Sequence, residues 1–567
     1  MKIQSFTRRV SAALFAVVLA CSLSVASLSL LAASRGTPGN DFSEIAESID
    51  LFGDIYRELS ENYVEPLDVR VLMYAAIDGM LGVLDPYTLF LDETQSEELG
   101  EITSGQYTGI GLSMTRFDDA VYVTSVLEGY PAWNAGIRTG DRITRVDGKP
   151  LAGRNLDQVR ELMKGATGSR FSMNIEREGG RAPGTVSLVR EEVRVSTVSY
   201  SGIIGRTGYL QLGSFSSHSS GDMRQAVDKL LREAADRSQP MNGLIIDLRG
   251  NPGGLLTAAV DISSLFVGKG STVVTIRGKK PESEKIYRTE QQPLVPALPL
   301  AVLIDKESAS ASEIVSGAIQ DLDRGIVLGE RSFGKGLVQS VLRLPYDTTL
   351  KLTTAKYYTP SGRLIQKPHG DTHKKRSVLK KNGEKKPLPV YYTAVKRKVY
   401  GGGGITPDVV VEAPERSAYE QELRRKGMIF LFASRYRASH AGFSPDSSDR
   451  ASRLKAFSEF LGEKRFSYTS ASERNLQELE KQIAEELNGE KTGVPGSLEG
   501  LKKELLQMKN SLTALQGERI ARLIDIEIMR HGNETLSRKA ELDDDPVVQR
   551  ALALFADPKA YSRMLRP

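Results

Sequence analysis

Cysteine is almost missing from this chain of 567 residues. The single copy, Cys21, lies in an apolar stretch near the N-terminus, so the remainder can form neither a disulfide nor a thiolate metal site. Histidine is scarce too. Its five copies are His218, His369, His373, His440 and His531, and none has the surroundings of a Ser-His-Asp triad. No sign of charge dominates: the net charge of +5 is small for the length and exerts no global pull on nucleic acid. The 40% hydrophobic and 26% charged residues are ordinary for soluble globular protein, and the length implies several domains.

Residues 10–33 are the one long apolar run. They carry no charge and follow Lys2, Arg8 and Arg9. The run is long enough to cross a bilayer, which takes about 20 residues. "LLAAS" (30–34) offers small residues for cleavage, so residues 1–34 read as a signal peptide or a membrane anchor. Val18-Leu19-Ala20-Cys21 resembles a lipoprotein box, but the run continues past Cys21, which argues against it. Every version places the bulk outside the cytoplasmic membrane, in the periplasm or on the outer face of that membrane in a bacterium.

Patterning divides the rest. Residues 41–103 read as helical: Ile45, Ile49, Phe52, Ile55 and Leu59 keep a 3–4 spacing, and a second helix over 71–84 stops before Pro86. Residues 104–190 read as short alternating strands with one helix at 155–165, a module of ordinary domain size. Residues 191–411 alternate strands and helices. "GLIIDLR" (243–249) and "PLAVLID" (299–305) are apolar enough to be strands buried on both faces, hence α/β. A basic insertion at 367–400 reads as a surface loop, or as a contact for anionic lipid or an acidic partner. Residues 412–567 are charged and helical, suited to packing on the core or on a partner subunit.

"GERSFGKGLVQS" (329–340) looks at first like a phosphate-binding loop. Gly336 stands where the Mg²⁺ hydroxyl is needed, and the next residues read as a strand instead of a helix. An exported enzyme would also find little ATP. Better chemistry lies in "DKESASASEIV". There Ser310 sits at a helix start after a buried strand, and Ser310-x-x-Glu313 fits a capping box. A serine in that place presents its hydroxyl at the ligand-binding edge of a sheet, with the Ala311 N–H and the helix dipole available to an oxyanion. "DLRGNPGG" (247–254) follows the other buried strand, and Gly253 and Gly254 leave backbone N–H groups unshielded. With no histidine in place, Lys335 is the candidate base, because burial disfavours the charged amine. Gln339, four residues on, lies on the same face of a strand and is placed to orient that amine.

"SASASEI" followed by "SFGKGLVQ" resembles the carboxyl-terminal processing peptidases, the S41 serine proteases. "DLRGNPGG", "YYTPSGRLIQ" (357–366), "GITPDVVV" (404–411), "ENYVEPLD" and "GMLGVLDPYTLFLD" resemble the same family, and "GYPAWNAGIRTGDRITRVDGKPL" (129–151) resembles a PDZ domain. The resemblance covers about 41–411. It implies an α/β fold with a ClpP/crotonase-like protease core over 191–411, an inserted PDZ domain at 104–190, and helical N- and C-terminal regions. It further implies Ser310 as nucleophile, Lys335 as general base with Gln339 beside it, Gly253 and Ala311 as the oxyanion hole, and Glu313 in support. The PDZ loop that holds a substrate carboxylate would be Gly109, Ile110, Gly111 and Leu112, with apolar protein C-termini lying against the 155–164 helix. No metal, cofactor or nucleic acid is implied. The terminal helices offer a route to a homodimer. The competing readings are a non-catalytic PDZ scaffold on the same fold and a nucleotide-dependent enzyme.

Overall fold

The computed structural model describes residues 42–179, 183–368, 388–412, 414–440, 443, 449–486 and 494–567. The N-terminal segment and most of the basic insertion, with His369 and His373, lie outside the described residues. Two compact units result, one ending at Leu84 and the other running from Asp85 to Pro567.

In the first unit, helices Phe42–Asn62 and Val69–Leu81 are joined by a short loop. Asp68 caps the second by accepting from Arg70 and Val71 N–H, and the Tyr56 hydroxyl reaches Val69 O at 2.7 Å. Beyond Pro86 the helical expectation fails locally. The aromatic and apolar residues Leu89–Leu91 form a strand that pairs antiparallel with Thr349–Tyr358, before a helix over Glu93–Ser104.

The second unit is built on a six-stranded sheet, ordered Val198–Ile204, Thr207–Leu212, Gly243–Asp247, Leu300–Ile304, Ile326–Gly329 and Val409–Val410. Only the first pair is antiparallel. Period-two alternation sorts the strand residues. Leu244, Ile246, Leu300, Val302 and Ile304 join the cluster formed with helices Ser219–Asp236, Leu256–Ser264 and Ala311–Asp321. Ile245, Ala301, Leu303 and Leu328 join Val547, Val548, Leu554 and Phe555 of the C-terminal helices. Both faces are therefore dry, which is why these strands read as continuous apolar runs. A second, antiparallel sheet contains Thr272–Gly278, Leu337–Arg343 and Thr349–Tyr358.

The inserted module is an antiparallel sheet of Leu112–Phe117, Ala120–Val126, Arg142–Val146, Arg170–Glu176 and Gly184–Val189, closed by helix Leu156–Met163 around its own core. Its entry and exit strands, Gln106–Gly109 and Glu191–Arg194, pair with each other, so the chain leaves and rejoins the core at one place. Among the described residues, no helix is long and apolar enough to cross a membrane.

Candidate active site

Two loops emerge from adjacent parallel strands at the same sheet edge, where ligands of open α/β sheets bind. They are laced together by side chains. The Asp305 carboxylate accepts from Gly250, Glu307 and Ser308 N–H, each at 3.0 Å. Ser308 Oγ donates to Leu248 O at 2.8 Å and Ser312 Oγ to Asn251 O at 2.9 Å. Two of the three alternating serines are thus tied to backbone. Among the described residues, the Ser310 hydroxyl donates to nothing. Ser310 also has φ 54° and ψ −112°, a backbone conformation that non-glycine residues rarely hold. Strain of this kind is retained where the surroundings over-determine it, and it clusters at functional sites.

The surroundings here are organised by Glu313, whose side chain is fully buried. The Glu313 half of the expected capping box forms, with Oε2 accepting from Ser310 N–H at 2.9 Å, while Glu313 N–H donates to Ser310 O at 2.9 Å. The same oxygen accepts from Lys335 N–H at 2.9 Å, while Oε1 accepts from Gly334 N–H at 2.8 Å and Ser332 Oγ at 2.5 Å. Burial pushes the carboxyl up to about 7, against these donors, which favour the anion. The Tyr357 hydroxyl spans the same gap, with its one proton shared between Ser310 O and Lys335 O. Gly336 is required by crowding: a Cβ there would lie 2.8 Å from Gln366 N.

Lys335 is partly buried. Desolvation, with help from Lys351, lowers its amine to about 8, while Glu313 and Asp85 act in the opposite direction. The Tyr87 ring lies 4.7 Å from Nζ. Gln339 does not take the expected partner. Its Nε2 donates to Thr353 Oγ1 at 3.4 Å, and Thr353 Oγ1 donates to Asp85 Oδ1 at 3.1 Å. Lys335 lies ahead of the strand Leu337–Arg343, whose register against Thr349–Tyr358 shifts between Val338 and Gln339. The same-face spacing of four therefore does not carry through.

Gly253 lies against the serine. A Cβ on it would sit 2.9 Å from both Ala311 N and Ser310 Cβ, and its φ is 99°. Its own N–H, however, donates to Asn251 Oδ1 at 2.9 Å, so it is not a free oxyanion donor in this structure. The Ala311 N–H, at the first turn of its helix, has no acceptor among the described residues. The residues after Gly336 form a strand, so no helix N-terminus stands where a phosphate loop needs one.

In the inserted module, Gly109 ends one strand, Leu112 opens the next, and Ile110 and Gly111 join them. Ile110 O and Gly111 O are held by Ala132 and Leu127 N–H. Leu112–Phe117 is an edge strand of its sheet, the place where an extended peptide can add.

Residues 206–373 match peptidase family S41, 122–177 match the PDZ domain, and 419–555 match the probable PDZ-protease C-terminal helical domain. A carboxy-terminal-processing protease of Bartonella bacilliformis is 33% identical over 394 residues, which are 70% of this chain and 82% of that protein. The chain belongs to peptidase family S41, the carboxy-terminal-processing serine proteases. A probable CtpA-like serine protease of Staphylococcus aureus is 35% identical over 316 residues, 55% of this chain and 61% of the relative. Among solved structures, the photosystem II D1 C-terminal processing protease is 29% identical, covering 64% of this chain and 92% of its own at a TM-score of 0.33. The PDZ domain of a Vibrio cholerae carboxy-terminal protease in complex with peptide is 30% identical over 16% of this chain and 99% of its own, at a TM-score of 0.15.

This S41 peptidase holds several residues around the site that motif reading left without a role. Asn251 and Asp305 lock the loops, Tyr357 bridges serine and lysine backbones, and Asp85 and Tyr87 stand beside the lysine. They lie in "DLRGNPGG", "DKESASASEIV", "YYTPSGRLIQ" and "LDPYT", but nothing local in those motifs states which distant residue each one meets.

Proposed function

We propose that this protease cleaves through a Ser310–Lys335 dyad and an acyl-enzyme. The carrying observation is that one buried carboxylate, Glu313, holds the backbones of both residues, one of them strained and the other bearing an amine lowered to about 8. Neutral Lys335 removes the Ser310 proton as Oγ attacks the scissile carbonyl. The oxyanion forms at the Ala311 N–H, with Gly253 contributing once its N–H turns from Asn251. The ammonium then protonates the leaving amine, and water releases the acyl group by the same base. Gln339 supports the lysine through Thr353 and Asp85.

Substrates are proteins whose apolar C-terminus adds to the Leu112–Phe117 edge, the terminal carboxylate held at Gly109–Leu112. The N-terminal sequence supports work in a bacterial envelope, with membrane attachment through that segment. Exposed apolar side chains on the first unit, such as Ile49 and Val71, support self-association through terminal helices.

The test is turnover of an unfolded protein substrate, together with labelling by a serine-directed fluorophosphonate. Ser310→Ala abolishes both, and Lys335→Ala abolishes turnover while the fold is kept. Full turnover by either variant removes the dyad and leaves a different nucleophile or base to be found.

A further inference from the structure

We propose that Tyr87 is a positioning residue for the proton transfer: its ring roofs the Lys335 amine and favours the ammonium formed when Lys335 takes the Ser310 proton. This rests on the dyad reading. In that step the Ser310 O–H bond breaks, an Nζ–H bond forms, and Oγ bonds to the scissile carbon as the carbonyl electrons move to oxygen. Positive charge therefore appears on Nζ at the moment negative charge appears on the oxyanion. The oxyanion meets N–H donors. The ammonium needs a counterpart in a site that burial has made hostile to charge.

The groups facing the amine narrow the candidates. Glu313 from helix Ala311–Asp321 and Asp85 from the turn before Tyr87 act on it from a distance, and Lys351 from strand Thr349–Tyr358 repels it. Among the described residues, no carboxylate hydrogen-bonds to Nζ. A carboxylate in direct contact would hold the lysine charged and useless as a base. The negative face of an aromatic ring gives a weaker, graded attraction, and 4.7 Å from centroid to Nζ lies within the range of about 6 Å over which it acts.

The ring is also held in place. The Asp85 carboxylate accepts from Tyr87 N–H at 2.9 Å, from Thr88 N–H at 3.1 Å and from Thr88 Oγ1 at 3.0 Å, turning the chain back on itself. Thr353 fastens that turn to the second sheet, through its N–H to Thr88 Oγ1 at 3.2 Å and its hydroxyl to Asp85. The strand Leu89–Leu91 then continues the pairing. Asp85 thus directs its oxygens at the turn, and Tyr87 is the part of the turn that reaches the amine. "LDPYT" has the composition such a roof requires: a carboxylate and a threonine for the turn, a proline for rigidity and a ring for the cation.

Full-length Tyr87→Phe, Tyr87→Leu and Tyr87→Met proteins test this, with kcat and KM measured across pH on an unfolded protein substrate and folding checked by thermal melting. The ring-free variants lose roughly three- to thirtyfold in kcat with KM little changed, and the rising limb of the pH profile moves to lower pH, because the ammonium has lost a stabiliser. Tyr87→Phe keeps the ring and stays near wild type on both counts. Met fills similar space without a ring, so it reports even if the Leu variant melts early. The proposal is overturned if the limb stays in place in both ring-free variants, if their loss is confined to KM, or if Phe falls as far as Leu. A dead Lys335→Ala beside an unmoved Tyr87→Leu limb removes only the roof, whereas an active Lys335→Ala removes the dyad itself.

Discussion

Ser310 and Lys335 donate their backbone N–H groups to a single oxygen, Glu313 Oε2, each at 2.9 Å. The two loops of the site are therefore positioned against each other by one carboxylate 22 residues before the lysine and three after the serine. Glu313→Gln replaces an acceptor oxygen with a donor group, and Glu313→Ala removes both acceptors. Each buried N–H left unpaired costs about 1–3 kcal/mol. The Gln variant should therefore melt clearly lower, the Ala variant lower still, and both should lose about 10²-fold or more in kcat/KM through misplacement of the proposed dyad. A Glu313→Ala protein with native activity and melting would show that the shared oxygen positions nothing.

The pH profile follows from two groups. In the proposed dyad Lys335 acts as the neutral amine, so activity should rise as pH passes about 8. Glu313, raised to about 7, becomes protonated below that value. A protonated carboxyl cannot accept from all of its donors, and of its hydrogen-bond partners among the described residues only Ser332 Oγ can receive its proton. The logarithm of kcat/KM should climb with slope one between about pH 7 and 8, and with slope near two below 7. Stability has the opposite signs at the two groups. Raised Glu313 contributes stability in acid that is lost as pH rises through about 7. Depressed Lys335 weakens the fold while charged, so stability is regained as pH rises above about 8. Lys335→Met should abolish the alkaline rise in melting temperature without touching the acid one.

The strain at Ser310 is measurable apart from catalysis. With φ 54° and ψ −112°, the residue sits where a Cβ is unwelcome, at a cost of order 1–3 kcal/mol. Ser310→Ala and Ser310→Gly both remove the hydroxyl, but only glycine relieves the backbone. The glycine variant should be about as stable as the alanine variant or up to ~1 kcal/mol more so, although glycine is ordinarily the costlier residue in the unfolded chain. Chemical denaturation of the two variants decides it. A glycine variant less stable by the usual glycine penalty would mean that the conformation stores no strain.

What could be read from sequence follows the range of the physics involved. The strands before Gly253 and Ser310 are buried at all five positions, with apolar runs at Leu244–Ile246 and Leu300–Ile304, so their type and burial are legible without partners. The Ser310–Glu313 cap is legible because it is local. The second role of Glu313 is not, because its other donors lie 19 to 22 residues away across a sheet edge. Gln339 misleads for a different reason: period-two reasoning assumes an unbroken strand, and the register shift at Val338 breaks it. The C-terminal helices show an apolar face in sequence, but amphipathicity says only that a face is covered, never by what.

What they cover is one face of the six-stranded sheet. The Phe555 ring fills the space where Gly243 lacks a Cβ, which would lie 2.4 Å from it, and the Tyr561 hydroxyl bonds both N–H and O of Leu300, at the head of the strand that leads to the serine loop. At the other end Asp545 caps helix Pro546–Ala556 through Val547 and Val548 N–H, and also pairs with Arg249 at 2.8 Å, four residues before Gly253. Phe555→Ala should cost about 3–5 kcal/mol, as expected for a buried ring in the cluster between the sheet and the C-terminal helices. Asp545 allows the cap and the ion pair to be separated. Asparagine caps helices as well as aspartate, so Asp545→Asn keeps the helix start and removes the charge from Arg249, whereas Asp545→Ala removes both and adds about 1 kcal/mol of lost capping. If the Arg249 pair steadies the loop beside Ala311, the Asn variant should lose kcat at nearly unchanged melting temperature. If the extension is only a cover for the sheet, Asn should match wild type in kcat, and Ala should differ from it in stability alone.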